Sequence, residues 1–346
     1  MSFLKAFGSL YIRSPRYVVA IIIALIVAGA LVPLQNNGYL TYIMFVTMIY
    51  IVLAMAWNIV GGFAGQTSLA NAAFFGIGIY TASLVWKATS SPLLGIPLSA
   101  VTASALALAM TPFFRLRGAY FAMGTFFLTI VVGEVVNNAT PLTGGALGIY
   151  LPIQAPSLSL QYYASFLLAL FVIVVAVFIA NSKLGMAMIG IREDEDASIA
   201  AGVDAMRTKI ISLVISAALT GVAGAVYAFS LSYVDPSSAF SLNWVIISVF
   251  PAVIGGVGTI VGPIIGSIFF SFLDQMLSVY GSYSLIIFGV LLILVVLLLP
   301  RGIYTTLRDR FGKQFMAQPS RKTASSDLAV TTRAKSADGA TLDHES

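Results

Sequence analysis

The side chains able to hold a polar solute gather in one stretch, GGFAGQTSLANAAFFGIG from Gly61 to Gly78. Gly61, Gly62 and Gly65 lead into Gln66, Thr67, Ser68 and Asn71, at a place where a helix facing lipid would be apolar. A helix broken here frees backbone N–H and C=O groups, which are tolerated at membrane depth only against protein or a watery cavity. Broken helices of this kind turn their N-terminal dipoles toward anionic groups of a solute. Close helix packing is the competing explanation; it accounts for the glycines and leaves Gln66 and Asn71 together unexplained. The chemistry on offer is recognition of a solute rather than bond making.

Three further constellations stand out. PAVIGGVGTIVGPIIG, Pro251 to Gly266, carries Gly255, Gly256, Gly258, Gly262 and Pro263. It echoes the first interruption and hints at an internal duplication, or else forms a tight hairpin between two spans. The second is charged: in GMAMIGIREDEDASIAAGVDAMRTK, Gly185 to Lys209, Arg192 is followed by Glu193, Asp194, Glu195 and Asp196. These acids open a helical segment, Ala197 to Ala201 with Ser198 inside it, that Gly202 can end, and acids in a first turn meet the helix dipole favourably. So short a helix is not stable alone in water, so it docks against something unless it is an ordinary solvated loop. Last, Glu134 and Asp274 lie toward the outer ends of apolar runs, where snorkelling to water costs little. Asn137 and Asn138 continue the polar edge beside Glu134, and Asn138-Ala139-Thr140 is also a formal glycosylation sequon. The chain has no cysteine and its single histidine is His344. A histidine- or cysteine-based catalytic dyad or metal centre within the bilayer is thereby excluded, and no enzymatic activity is expected.

The elements that position these residues follow from the charge distribution. Of the 18 basic and 13 acidic residues, 3 precede residue 17, 13 follow Pro300 and 9 lie between Lys183 and Lys209, which leaves 6 for all the rest. A charge at the bilayer centre costs about 3 kcal/mol, and such scarcity over long apolar runs is what that cost selects. With 59% hydrophobic residues, a soluble globule is excluded. The net charge of +5 reads as loop charge that sets orientation, not as a nucleic-acid surface. The expected fold class is an all-α polytopic membrane protein of eight to ten transmembrane helices, some Gly/Pro-broken or re-entrant, with a short cytoplasmic helix in the charged segment.

A hydrocarbon core about 30 Å thick needs roughly 20 apolar residues per helical crossing. Ten segments qualify: Tyr17 to Leu34, Leu40 to Val60, Leu69 to Trp86, Leu93 to Phe114, Ala119 to Val136, Tyr162 to Ala180, Ile210 to Phe229, Trp244 to Gly258, Val261 to Val279 and Leu285 to Leu299. The third, eighth and ninth are interrupted and are candidates for re-entry. A cytoplasmic N-terminus puts every basic residue except Lys87 inside, with the C-terminus inside as well. The first apolar run, with Ala28-Gly29-Ala30 near its end, also has the form of a signal peptide. Residues 1–313 are read as the membrane domain and 314–346 as a disordered cytoplasmic tail, poor in large apolar groups.

Taken together, several blocks resemble the LivM-type permeases, the membrane subunits of branched-chain amino acid ATP-binding-cassette (ABC) importers. They are GGFAGQTSLANAAFFGIGIYTAS from Gly61, RLRGAYFAMGT from Arg115, NNATPLTGGALGI from Asn137, GIREDEDASIAAGV from Gly190, VISAALTGVAGAVYA from Val214, VIGGVGTIVGPIIGS from Val253 and LLPRGI from Leu298. The resemblance covers about Gly61 to Ile303. It implies a coupling helix, whose family motif of E-A-A, three residues, then Gly is matched here by Asp196-Ala197-Ser198, three residues, then Gly202. It also implies a second permease subunit, two ABC ATPase subunits, a periplasmic solute-binding protein and a place in the bacterial inner membrane. No G-x-x-x-x-G-K-[ST] sequence occurs, so ATP and Mg²⁺ are expected in the partner ATPases and no cofactor in this chain. Sister branches of the family carry urea and short amides. For an amino acid, the carboxylate is expected near freed N–H groups from Gly65 to Ser68. The rival class, a self-sufficient ion-coupled transporter, usually keeps ionisable residues near the midplane, where this chain has none to spare.

Overall fold

Asn37 starts the first described helix, its Oδ1 accepting from the Leu40 N–H at 3.2 Å. The structure is a computed structural model that describes residues 37–116, 118–151 and 156–277, with residues 29, 286, 287, 289, 290, 302–304 and 306. Apart from such isolated positions, the predicted spans Tyr17 to Leu34 and Leu285 to Leu299, and the predicted tail, lie outside the described residues. The chain separates into two units, Met1–Thr305 and Thr306–Ser346, and every element named here belongs to the first.

Helix α1, Gly38–Trp57, continues as a π-helical turn over Asn58–Phe63. After it come α2 (Asn71–Thr89), α3 (Gly95–Ala109), α4 (Ala119–Asn138) and α5 (Leu158–Ala180). Two shorter helices, α6 (Lys183–Glu193) and α7 (Glu195–Ala200), precede α8 (Ala205–Ala228), α9 (Leu242–Gly255) and α10 (Val261–Leu277). Among the described residues, five stretches are long and apolar enough to cross a membrane: Gly38–Phe63, α4, α5, α8 and Pro236–Gly255. This is a multi-pass, essentially all-α membrane protein. The expected boundaries shift where caps decide them. Asp204 accepts from the Arg207 N–H at 2.9 Å, which starts α8 at Ala205 rather than Ile210. Ser157 does the same for α5.

Two proline expectations change. Pro251 lies inside α9 and Pro263 in the first turn of α10, where the missing N–H costs nothing. The second interruption is the tight hairpin between two helices that the sequence allowed, turning between α9 and α10 at Gly256 and Gly258, whose φ values are 128° and 77°.

Lipid offers no hydrophobic drive to pair helices, so they associate by close packing of small residues. At the crossing of α2 and α8, a Cβ on Gly78 would run into the Gly221 carbonyl, and one on Gly224 into the Phe75 carbonyl. Between α9 and α10, a Cβ on Gly255 would strike the Gly262 carbonyl, and one on Gly266 the Pro251 carbonyl. Helix α8 also packs on α3, while α1 packs on α5, α9 and α10.

The only strands among the described residues fix parity. Ile149–Tyr150 (β1) pairs antiparallel with Tyr233–Val234 (β2), Ile149 opposite Val234. Two long helices, α5 and α8, separate them, so the loops after α4 and α8 share one side, away from the charged segment between α6 and α8. Beside β2, Asp235 accepts from the Ser238 N–H at 3.0 Å and from the hydroxyls of Ser237 and Ser238. Partial burial pushes its carboxyl up, but those hydrogen bonds outweigh it and hold the group below the usual carboxylate range.

Gly255→Ala and Gly266→Ala are each expected to lower stability in detergent by about 1–3 kcal/mol, the range for overpacking, seen as a reduced melting temperature. Gly133→Ala, whose new methyl meets only the Phe240 side chain at 3.3 Å, should lower it far less. Equal melting temperatures for all three would refute the close crossing.

Candidate functional site

The first interruption is a strap that re-enters the bundle. Gly65, at φ 69°, turns the chain after Phe63, and residues 64–70 run back without helical structure. The Trp57 indole N–H donates to the Ser68 carbonyl at 2.8 Å. Ser68 therefore lies beside a residue about 9 Å short of Phe63 along the helix. The Gln66 N–H reaches the Val60 carbonyl (3.0 Å), the Ser68 N–H the Gln66 carbonyl (2.8 Å) and the Ala70 N–H the Ser68 hydroxyl (3.3 Å). From α4, Thr125 Oγ1 accepts from the Leu69 N–H at 3.0 Å and the Thr129 hydroxyl donates to the Leu69 carbonyl at 3.4 Å. Protein meets these freed groups, as non-helical backbone at membrane depth requires.

The unused donors therefore lie one step beyond the expected place. The N–H groups of Gln66 and Ser68 are already bonded, whereas α2 begins at Asn71 without a side-chain cap. Among the described residues, the N–H groups of Asn71, Ala72 and Ala73 have no partner, and all three residues are buried. Asn71 Nδ2 is buried and unpaired too, as are the hydroxyls of Ser216 and Thr220 on α8. About two turns back from the crossing of Gly78 and Gly224, Asn71 and Ser216 come to the same level. Ala70, Phe74, Leu213 and Ala217 share one buried cluster there. Ser68 is buried as well, Gln66 is half-buried, and Gly65 and Thr67 are exposed.

The two glycine interruptions, distant in sequence, touch. Asn58, fully buried, accepts from the Gly258 N–H and donates to the Thr259 carbonyl, both at 2.8 Å. A side chain on Gly62 would collide with the Asn58 amide and the Gly258 nitrogen, so Gly62 supplies room. Arg192, from the last turn of α6, completes the junction: its Nη1 donates to the Gly62 carbonyl at 2.7 Å. Its stem lies against Gly65 and its guanidinium against Gly258. Neither Asn58 nor the reach of Arg192 figures in the residues picked out from sequence. Asn58 had a signal, being the one amide side chain in the apolar run Gly38–Phe63.

The charged segment forms two helices. Glu193 ends α6 and pairs with Arg192 at 2.7 Å. Asp194 caps α7, accepting from the Ala197 N–H at 2.9 Å, with Glu195 and Asp196 in the first turn and Gly202, at φ 88°, just past the end. Ser198 is buried and donates to the Asp194 carbonyl at 2.8 Å, whereas Ala197, Ile199, Ala200 and Ala201 are exposed. Lys209 of α8 pairs with Glu195 at 2.7 Å.

The polar residues toward the far ends of α4 and α10 do not join the strap. Glu134 and Asn138 are exposed near the far end of α4, the Asn138 amide donating to the Glu134 carbonyl at 2.8 Å, and Asn137 is half-buried. Asp274 accepts from the Tyr50 hydroxyl at 2.8 Å, which ties α10 to α1.

A broken helix, unpaired donors at its restart and a capped helix on the charged side are features of a solute permease. The chain belongs to the family of permease components of branched-chain amino acid transport systems, whose model matches residues 39–296. It is 29% identical over 329 residues to the high-affinity branched-chain amino acid transport system permease protein LivM of Escherichia coli K12, covering 84% of this chain and 75% of that protein. It is 24% identical over 284 residues to the LivH permease protein of Salmonella typhimurium, covering 73% of this chain and 90% of that one. No solved structure matches.

Asn58→Leu leaves the Gly258 N–H and the Thr259 carbonyl without a partner and is expected to cost about 1–3 kcal/mol per group. Arg192→Ala frees one partly buried carbonyl and should cost less. Thermal unfolding of both variants in detergent checks the order, and the reverse order would mean that Asn58 does not hold the junction.

Proposed function

We propose that the chain is the membrane-spanning permease subunit of an ABC importer for branched-chain amino acids or a related small polar solute. It sits in the bacterial inner membrane with eight to ten crossings and both termini cytoplasmic. Its partners are a second permease subunit, two ATPase subunits that bind ATP and Mg²⁺, and a periplasmic binding protein. The observation that carries this reading is α7, a short capped helix with exposed Ala197, Ile199, Ala200 and Ala201, immediately preceded in sequence by the Arg192 junction. So short a helix with an apolar outer face is stabilised by docking. An ATPase surface that moves α7 moves α8 through Lys209 and Glu195, and the strap through Arg192.

The solute's carboxylate is placed at the start of α2. Unpaired N–H groups there sit at the positive end of the helix dipole, with the Asn71 amide beside them. Gly65, Gln66, Thr67 and Ser68 form the strap that leads to it, and Glu134, Asn137 and Asn138 belong to the outer mouth.

Deletion of Glu195 to Gly202 is expected to abolish co-purification of the ATPases while the chain still inserts; retained association would place the docking site elsewhere. Uptake of leucine by vesicles holding this chain alone under an ion gradient would overturn the importer. Asn71→Asp sets a carboxylate against the solute's own and should cut uptake by about tenfold or more, equivalent to ~1.4 kcal/mol. Asn71→Ala and Gln66→Ala should have smaller effects. Unchanged uptake in all three at normal expression removes the strap from the route.

A further inference from the structure

Polar groups without partners and a knot of aromatic rings lie on the same faces of α2 and α8. Asn71 and Phe75 are four residues apart on α2, while Thr220 and Tyr227 follow Ser216 on α8 by four and eleven, so each set shares one face of its helix. Both faces change character along their length. Nearer the charged segment, the Asn71 amide nitrogen and the hydroxyls of Ser216 and Thr220 are buried and, among the described residues, unpaired. One to two turns further along, the Phe75 and Tyr227 rings meet at 5.5 Å between centroids. Trp244, in the first turn of α9, closes the group at 4.2 Å from Phe75 and 4.9 Å from Tyr227. Phe75 is fully buried, and the Trp244 indole N–H is fixed on the Ser238 carbonyl at 3.0 Å. Three rings from three helices would complete an ordinary core if the turns beside them were apolar. Those turns instead hold donors and hydroxyls whose burial without a partner is costly and rare in native interiors.

We infer that these two groups are the two ends of one subsite for an amino acid with an aliphatic side chain. Its polar end lies at Asn71, Ser216 and Thr220, and its side chain lies against Phe75, Tyr227 and Trp244. This rests on the importer reading above and deepens its placement of the solute. The start of α2 takes the carboxylate, and the two hydroxyl oxygens accept from the ammonium group. Among the described residues no carboxylate is buried to do so in their place. Urea or a short amide satisfies the polar end and leaves the rings without a partner, so the two ends together select the aliphatic amino acid. Part of the selection among solutes then resides in this chain, at the rings.

The test is equilibrium binding of radiolabelled leucine to the purified full complex without its binding protein, displaced by unlabelled solutes. Leucine is expected to displace the label at a concentration at least about tenfold below alanine, because even one methylene in an apolar pocket is worth roughly that much. Phe75→Ala should cut this ratio to about threefold or less and admit phenylalanine as a competitor. Phe75→Leu, which keeps the core filled, should lower the ratio in the same direction and serves if the alanine variant does not assemble. Weaker binding of leucine and alanine alike, with the ratio kept, makes Phe75 a core residue and overturns the proposal. So does displacement by acetamide or urea as effective as that by leucine. A complex that takes up leucine with its binding protein present, yet binds none without it, overturns the subsite and leaves the importer standing. A preparation holding no ATPase subunits overturns the importer reading and the proposal with it.

Discussion

Backbone polar groups have nowhere to go in hydrocarbon, and that constraint organises the end of this bundle nearest the charged segment. The chain leaves helical geometry at residues 64–70 and again between α9 and α10, and each departure frees groups that only protein can meet. One side chain joins the two solutions: the Asn58 amide offers its oxygen to the Gly258 N–H and its nitrogen to the Thr259 carbonyl. The neighbouring glycines follow from this. Gly62 is small because the Asn58 amide and the turn at Gly258 occupy the space a side chain would need. Gly62, which the sequence places in a helix break, thus acts as clearance for this contact.

Local features were legible in the sequence and distant ones were not. The short helix expected at Ala197 to Ala201, ended by Gly202, forms two residues earlier, as Glu195–Ala200 capped by Asp194. The existence of the break after Phe63 was legible too, because five glycines and four polar side chains within Gly61 to Gly78 have no place on a lipid-facing helix. Its internal wiring was not. The strap spends the N–H groups of Gln66 and Ser68 on itself, so the free donors fall at Asn71 to Ala73. Nothing local distinguishes a spent donor from a free one. Pro251 misled for a related reason: tertiary packing holds α9 continuous through it, and the turn is made by two glycines further on.

Magnitudes decide how such a junction would respond to force. The Lys209–Glu195 pair joins a buried ammonium to a partly exposed carboxylate, so breaking it strands a buried charge. The hydrogen bond from Arg192 to Gly62 is charge-assisted and partly shielded, in the class worth about 1.5–3 kcal/mol. Breaking the Asn58 contacts strands a buried donor and a buried acceptor together, at about 1–3 kcal/mol each. A pull on α7 is therefore passed to α8 through Lys209 as well as to the strap through Arg192, while Asn58 grips the α9–α10 turn. The unpaired donors at the start of α2 lie at the other end of that strap.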